Sequence, residues 1–160
     1  GFGLAYQRPP GLEGVSIRAL AKALSASDRL EEATKRLDLS AFMDRDMNVG
    51  FSGGEMKRAE VLTLALQDPA ILLFDAPESG VDLEHVKAVG EAIKQLVETP
   101  TRQGKPRCAV VITHTGLILN HVAPHKAHVL NKGELSYSGP AKALFEHVQK
   151  YGYHAIPEEV

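Results

Sequence analysis

The 160 residues fit one ordinary domain with a buried core. A formal net charge of −2 gives the chain as a whole no drive toward nucleic acid or an anionic membrane, so neither is expected as a partner. The sequence shows no signal-peptide pattern and no apolar run long enough to span a bilayer, so no direct membrane insertion is expected. A single cysteine, Cys108, excludes an internal disulfide and suits a reducing compartment such as the cytoplasm.

The front of the chain combines one short strand with two helical patterns. "GFGLAY" is predicted to be a strand leading to Gln7, and "RPPGLEG" follows as a turn-rich connection. "SIRALAKAL" predicts a helix capped by Ser16. "SDRLEEATKRL" predicts a second helix that begins behind Ser27 or Asp28.

The remainder alternates helices with apolar runs. "ILLF" is too short and too apolar for an amphipathic helix, so it indicates a fully buried strand. "CAVVIT" indicates a second buried strand, in which Cys108 would be a packed thiol. The other predicted elements are a helix over 54–67, a helix from an Asp82 cap to about Val97, a hairpin around Asn131-Lys132-Gly133 and a closing helix with Pro140 at its first position. This alternation predicts an α/β layered domain.

The pentapeptide "FSGGE" carries a candidate anion-binding turn. Gly53 and Gly54 let the backbone approach a ligand closely, and the helix start that follows offers unpaired N–H groups to an anion. Ser52 adds a hydroxyl donor, and Glu55 completes the motif. The alternative is an ordinary glycine turn that caps a helix.

Polar residues also stand at the ends of the predicted strands. Asp75 closes "ILLF", where a carboxylate can hold Mg²⁺ directly or through water, although it could equally cap a helix or turn. His114 closes the next strand and is placed to reach a phosphate from the same edge of the sheet, although a lone histidine there is more often structural. Gln7 follows the first strand in the same way and carries no signal alone.

The order of these features resembles ATP-binding cassette (ABC) ATPases. Gln7, "FSGGE", "LLFDAPESGVD" and "VVITH" match that family's Q-loop, signature, Walker B with D-loop, and switch histidine, and together they cover most of the chain. The resemblance implies an α/β fold: the back portion of a P-loop NTPase core with parallel strands, plus an inserted helical subdomain. It divides residues 1–160 into a strand with the Q-loop (1–7), the helical subdomain (8–50), and the signature, Walker B, D-loop, H-loop and C-terminal part (51–160).

Subtler features resemble the Suf-type ATPases of iron–sulfur cluster assembly. These are "AYQRPPGLEGVS", the phenylalanine that opens "FSGGEMKR", "ESGVD" at the D-loop, and the terminal stretch that ends in Tyr151-Gly152-Tyr153. Transporter cassettes more often open the signature with leucine and read "DEPTSGLD" at the Walker B turn.

The first departure from the family is that no G-x-x-x-x-G-K-[ST] loop occurs in the sequence. By resemblance, that loop and its strand precede the point where this chain begins, so the chain is expected to be the back portion of a cassette. Its front is either lost by truncation or supplied elsewhere. In the family the loop's strand lies between the "CAVVIT" and "AHVL" strands, so its removal would expose two hydrogen-bonding edges and apolar surface.

The second departure is Ala76, which occupies the position of the family's catalytic glutamate. A methyl group cannot orient an attacking water, and general-base assistance typically contributes ~10²–10⁴-fold, so hydrolysis should fall by about that factor. Glu78 could substitute as a base, but it should point away from the direction of Ala76. An engineered change and a natural loss both remain open for Ala76.

The resemblance implies ATP and Mg²⁺ as cofactors and a second copy of the chain in an ATP-sandwich dimer. Asp75 and Gln7 would serve Mg²⁺, and His114 the γ-phosphate. The signature residues of the other copy would close over the nucleotide, and Asp82 at the D-loop would also bind it. The signature residues are Ser52, Gly53, Gly54 and Glu55. The coupled partners would be Suf-type scaffold proteins. Two alternatives stay open: the nucleotide-binding subunit of a transporter, with an ABC permease as partner, and a non-hydrolysing binding or regulatory module.

Two further features favour structural roles. His121, His125 and His128 have metal-like spacing, but Pro124 breaks the helix that would align the first two, so a solvated loop is expected. Lys57 and Arg58 could contact a phosphate, but we expect them on the helix surface.

Overall fold

The computed structural model describes residues 1–152, apart from the side chain of Gln149. Tyr153, part of the proposed Suf-like ending, lies outside the described residues. The elements in chain order are β1 (Phe2–Ala5), β2 (Leu12–Ser16), α1 (Ile17–Ala23), α2 (Leu30–Arg36), β3 (Asp46–Met47), α3 (Gly53–Gln67), β4 (Ile71–Asp75), α4 (Leu83–Glu98), β5 (Cys108–Ile112), α5 (Leu119–Val122), β6 (Lys126–Asn131), β7 (Glu134–Pro140) and α6 (Ala141–Tyr151). Short 3₁₀ turns cover Ser27–Arg29 and Ser40–Phe42.

The central sheet has the strand order β1-β4-β5, and both pairings are parallel. Ala5 pairs with Phe74, and Asp75 pairs with Ile112, so the strands end nearly level with one another. Parallel strands need crossover connections, and α3 and α4 lie in those connections. The predicted α/β fold with parallel strands is therefore confirmed.

One face of this sheet is packed against helices. Leu72 and Phe74 of β4 are buried on that face together with Ala5 of β1. Gly3 brings β1 close to α3, because a Cβ there would meet the side chain of Leu64. The buried half of each strand therefore belongs to one hydrophobic core that α3 and α4 share.

The opposite face is open, which corrects the prediction of a buried "CAVVIT" strand. Phe2 is 76% exposed, and Val110 and Ile112 of β5 are 57% and 61% exposed. Cys108, expected to be a packed thiol, is exposed as well. Alternate strand residues point to opposite faces, and within residues 1–152 only the face with Ala109 and Val111 has helices against it. An apolar run cannot by itself tell whether both faces are covered.

Local features of the helices agree with the sequence only in part. The Ser16 cap is confirmed, since its hydroxyl accepts from the backbone N–H of Ala19 at 3.1 Å. The second helix begins at Leu30 rather than behind Ser27 or Asp28, because a 3₁₀ turn occupies those positions. "RPPGLEG" runs into β2, and Pro140 precedes α6 instead of opening it.

The segment predicted as a helical subdomain, residues 8–50, contains α1, α2, both 3₁₀ turns and the small antiparallel ladder of β2 and β3. Its buried residues Ile17, Leu30 and Leu39 belong to the same core as the central sheet. Near the other end, β6 and β7 form the predicted hairpin. Lys132 and Gly133 both have positive φ at its turn, as a tight two-residue hairpin loop requires. Over the described residues, no helix has both the length and the apolar character to cross a membrane.

The open face of β5 predicts opposite effects for two adjacent substitutions. Val111→Asp places a carboxylate against the core and should lower the free energy of unfolding by at least about 2 kcal/mol, measured by urea denaturation. Val110→Asp, the matched control on the open face, should change it by less than about 0.5 kcal/mol. Equal losses for the two variants would mean that both faces of β5 are covered.

Candidate functional site

Three polar side chains stand at one edge of the central sheet. Asp75 is the last residue of β4, Gln7 follows β1 by two residues, and His114 follows β5 by two residues. Because the three strands are adjacent and parallel, their carboxyl ends meet at the same edge. In open α/β sheets, this edge is where ligands usually bind.

The side chain of Asp75 is suited to a metal ion. It is half-buried, and among the described residues its carboxylate makes no hydrogen bond or ion pair. The side chain of Gln7 is exposed, while its backbone carbonyl accepts from Lys57 Nζ at 2.7 Å. No group of three or more His, Cys, Asp or Glu in the described part of the chain could form a metal cage. A single carboxylate with an amide oxygen nearby fits Mg²⁺, which keeps several waters and binds through one or two carboxylates plus phosphate oxygens.

Ala76 is fixed by backbone bonds on two sides. Its N–H donates to Ile112 O at 3.0 Å, and its carbonyl accepts from Ser79 N–H at 2.9 Å and from Lys57 Nζ at 3.3 Å. The residue is buried and has φ of +42°, a conformation that non-glycine residues rarely adopt. The chain therefore turns sharply at this point, and the side chain at the turn is a methyl group.

Glu78 is committed to the neighbouring strand end. Its carboxylate is buried and its Oε1 accepts from the hydroxyls of Thr113 and Thr115, the latter at 2.9 Å. These two threonines flank His114, so Glu78 links the turn after β4 to the segment that carries the histidine. Sequence reasoning missed this link, although the "THT" triplet was its visible signal. A carboxylate held this way is poorly placed to act as a base beside Ala76.

The Ser52 turn is an N-cap of α3. Ser52 Oγ accepts from Glu55 N–H at 3.3 Å, and the Glu55 carboxylate accepts from Ser52 N–H at 2.7 Å, which together form a capping box. The ordinary capping alternative is thus realised, and it occupies the carboxylate of Glu55. Ser52 itself is exposed, and its hydroxyl proton is still available to a ligand.

The two glycines of the turn allow close packing against the segment before α4. A Cβ on Gly53 would overlap the carbonyl oxygen of Gly80, and one on Gly54 would lie 3.2 Å from the Cβ of His85. Asp82 fixes that segment, because its carboxylate accepts from His85 N–H at 3.1 Å and contacts His85 Nδ1 at 2.6 Å. The side-chain contact with His85, followed by the cap bond, lowers the pKa of Asp82. The structure therefore joins the Ser52 turn to the Asp82 cap.

The prediction that Lys57 and Arg58 lie on the surface of the helix was wrong. Lys57 is buried, and its ammonium donates to three backbone carbonyls, those of Tyr6, Gln7 and Ala76. Arg58 donates to the carbonyl of Leu37 and pairs with Asp38, which ties α3 to the end of α2. Neither side chain lies free on the helix surface.

The histidines of "HVAPHKAH" fall on different elements. His121 lies in the four-residue helix α5, which ends at Val122, and His128 lies in β6. Ala123 adopts a left-handed conformation between α5 and Pro124. Within the described residues, no cluster at this place or elsewhere could hold a metal ion through three His, Cys, Asp or Glu.

Known proteins with similar sequences are ABC-type ATP-binding proteins. The chain is 32% identical over 176 residues to the "Probable ATP-dependent transporter SufC" of Escherichia coli, covering 99% of this chain and 68% of that protein. It is 32% identical to a "Probable ABC transporter ATP-binding protein" of Streptococcus pyogenes, covering 100% and 66%. It is 29% identical to the "Probable ATP-dependent transporter ycf16" of Cyanidium caldarium, covering 99% and 66%. No protein-family model matches the chain.

Solved structures give the same fold. A nucleotide-free ATP-binding cassette from an ABC transporter matches with a TM-score of 0.71 at 18% identity, over 94% of this chain and 65% of that one. An ATP-binding cassette in its ADP conformation matches with a TM-score of 0.70 at 17% identity, over the same shares. The fold is that of an ATP-binding cassette. The chain belongs to the ABC ATP-binding protein family, and it spans about two thirds of the length of the relatives that it matches.

Gly53 lies so close to the carbonyl oxygen of Gly80 that adding a methyl group at this position is predicted to destabilise the fold. Gly53→Ala should lower the free energy of unfolding by about 1–3 kcal/mol, because the added carbon can be accommodated only if α3 or the Gly80 segment shifts. Gly11→Ala is the control, since its added Cβ meets only an ordinary contact with Val49. Thermal unfolding of both variants measures the difference. Equal melting temperatures for Gly53→Ala and the unmodified chain would contradict the packing described.

Proposed function

We propose that this chain is the part of an ABC-type ATPase subunit that carries the signature turn, the metal-binding aspartate and the switch histidine. The whole protein would energise iron–sulfur cluster assembly in the cytoplasm. The observation that carries the proposal is the common sheet edge of Gln7, Asp75 and His114, combined with an exposed Ser52 turn at the start of α3, the helix that precedes β4 in the chain.

In this proposal each side chain has one task. Asp75 and the amide oxygen of Gln7 would hold Mg²⁺, which when bound would neutralise phosphate charge. His114 contacts the γ-phosphate, and Glu78 keeps the histidine's segment in place through the two threonines. Ser52, Gly53 and Gly54 contact the phosphates of a nucleotide bound to a second copy, with N–H groups at the start of α3 facing the anion.

The β- and γ-phosphates also need a backbone cradle and a lysine, and the sequence has no such loop. In the proposal another segment supplies it, together with a strand beside β5. Two observations support this. β5 is the edge strand of the described sheet and offers a further strand its backbone groups. The exposed side chains of Val110 and Ile112 favour a segment packed over that face. Binding of ATP then draws two copies together, and closure of the dimer pulls on attached scaffold proteins.

Hydrolysis should be slow in this form. Ala76 provides no group to accept a proton from water, and Glu78 is engaged by Thr113 and Thr115. The same residue supports a second candidate, a module that binds nucleotide without hydrolysing it. Coupling to a permease is a third candidate, which the names of the Streptococcus relatives support.

Nucleotide turnover tests the proposed ATPase. The chain is joined behind the phosphate-loop portion of a Suf-type ATPase, and ATP binding and hydrolysis are measured. This restored protein should bind ATP, and Ala76→Glu should raise turnover by about 10²–10⁴-fold because a carboxylate can orient water. Ala76→Gln is the matched control, with the same shape but no proton acceptor, and should give no such gain. Failure to bind ATP, or equal rates for the Glu and Gln variants, would contradict the proposal.

Capture of partners tests the coupling. Tagged protein isolated from its native cells should recover soluble scaffold proteins of iron–sulfur assembly. Recovery of a membrane permease instead would overturn the Suf-type assignment while leaving the ATPase assignment intact.

A further inference from the structure

Two charged side chains on one face of α3 form hydrogen bonds with the backbone of Tyr6, the residue that follows β1. Glu60 Oε2 accepts from the backbone N–H of Tyr6 at 3.0 Å, and Lys57 Nζ donates to the carbonyl of Tyr6 at 3.0 Å. Lys57 and Glu60 are three residues apart, so they are neighbours on the helix surface. We call these two side chains and their bonds to Tyr6 the Tyr6 clip.

The clip holds the segment through its backbone and not through its side chains. Lys57 and Glu60 are both buried, whereas the side chains of Tyr6 and Gln7 are exposed. Lys57 makes a further bond to the carbonyl of Gln7 at 2.7 Å. The side chain of Gln7 is exposed, so among the described residues the bond from α3 to its backbone carbonyl is what places Gln7 beyond the strand.

The ammonium of Lys57 also connects the clip to the turn after β4. Its remaining bond goes to the carbonyl of Ala76 at 3.3 Å, so all three ammonium protons have acceptors. The carboxylates of Asp75, Glu60 and Glu78 surround it and favour its charged form. One side chain thus joins three segments: the chain after β1, the turn after β4, and α3.

Burying the charged groups of Lys57 and Glu60 costs free energy, so stability alone does not explain the Tyr6 clip. Burial lowers the pKa of Lys57 and raises the pKa of Glu60, so both charges lose hydration that their partners must replace. Buried ionic groups are often no better for stability than apolar residues of similar size. Their location at the strand ends, one turn after Gly53 and Gly54, instead points to a role in geometry.

We propose that Lys57 and Glu60 are positioning residues that hold Gln7 at a fixed place relative to the Ser52 turn, so that movement of one shifts the other. The proposal deepens the function proposed above and rests on it for its purpose. Gln7 would face the nucleotide of its own copy, and Ser52 the nucleotide of the second copy. The clip then links the two nucleotides of a dimer through a single helix. Such coupling must act equally in both directions.

Hydrogen exchange of the 160-residue chain tests the clip without nucleotide. Lys57→Met keeps a long apolar stem but removes the donors that hold the segment, so the Tyr6 amide, which bonds to Glu60, should exchange about tenfold faster or more. Exchange in the β6–β7 hairpin should not change. Glu60→Gln retains an acceptor for the Tyr6 N–H and should stay close to the unmodified chain. Lys94→Met, the same change on the exposed part of α4, is the control. Unchanged exchange of the Tyr6 amide in Lys57→Met would overturn the clip.

Amide resonances of Gly53 and Gly54 test transmission along α3. Tyr6→Pro removes the N–H that Glu60 accepts, and Tyr6→Ala removes the same exposed ring but keeps that N–H. The proline variant should shift both glycine resonances, and the alanine variant should shift them much less. Equal shifts in the two variants, or none in either, would overturn the coupling.

The results of these two experiments can be distinguished from the results that test the proposed ATPase function. Neither measurement uses nucleotide, so a failure here leaves the ATPase assignment in place. A clip that behaves as expected in a restored protein unable to bind ATP would instead reject the proposed function.

Discussion

Parallel pairing of β1, β4 and β5 is the constraint on which the rest of the structure depends. Asp75 and His114 lie 68 and 107 residues after Gln7 in sequence. Their side chains reach the same edge as Gln7 only because the three strands run in the same direction and end nearly level. A strand reversed, or slipped by several residues, would separate them. The helices add to this arrangement by burying one face of the sheet, which fixes the register through Leu72 and Phe74.

The edge is held together by one backbone–backbone bond and by the buried side chains of Lys57 and Glu78. Ala76 donates to β5, Lys57 bonds to the backbone beyond β1 and β4, and Glu78 accepts from the threonines beside His114. The side chains suited to contact a ligand, those of Gln7, Ser52 and His114, are exposed. A ligand can therefore meet them without displacing the frame. A fixed frame that presents exposed side chains is the preorganisation that a binding site requires.

The sequence predicted best what depends on neighbours in the chain. The caps at Ser16, Ser52 and Asp82 were foreseeable because each bonds to a backbone N–H three residues later. The burial of Lys57 could not be foreseen in this way. The carbonyl groups that it bonds to, those of Tyr6 and Gln7, lie 51 and 50 residues away in sequence, and backbone carbonyls leave no side-chain pattern to recognise. The exposure of Cys108 was missed for a related reason. The apolar sequence of β5 shows that either face of the strand could be buried, but it does not show whether other elements cover both faces. The roles of the site residues came from resemblance, since each motif alone allowed a structural explanation.

The central claim is that Gln7, Asp75 and His114 serve one metal–nucleotide site. Mn²⁺ can replace Mg²⁺, and it broadens NMR signals of nearby nuclei. In the restored protein with ATP, the Gln7 side-chain amide and the His114 ring should broaden together, and Asp75→Asn should abolish both effects. Signals of the β6–β7 hairpin should stay sharp. Broadening that spares Gln7 or His114, or that survives Asp75→Asn, would contradict the account.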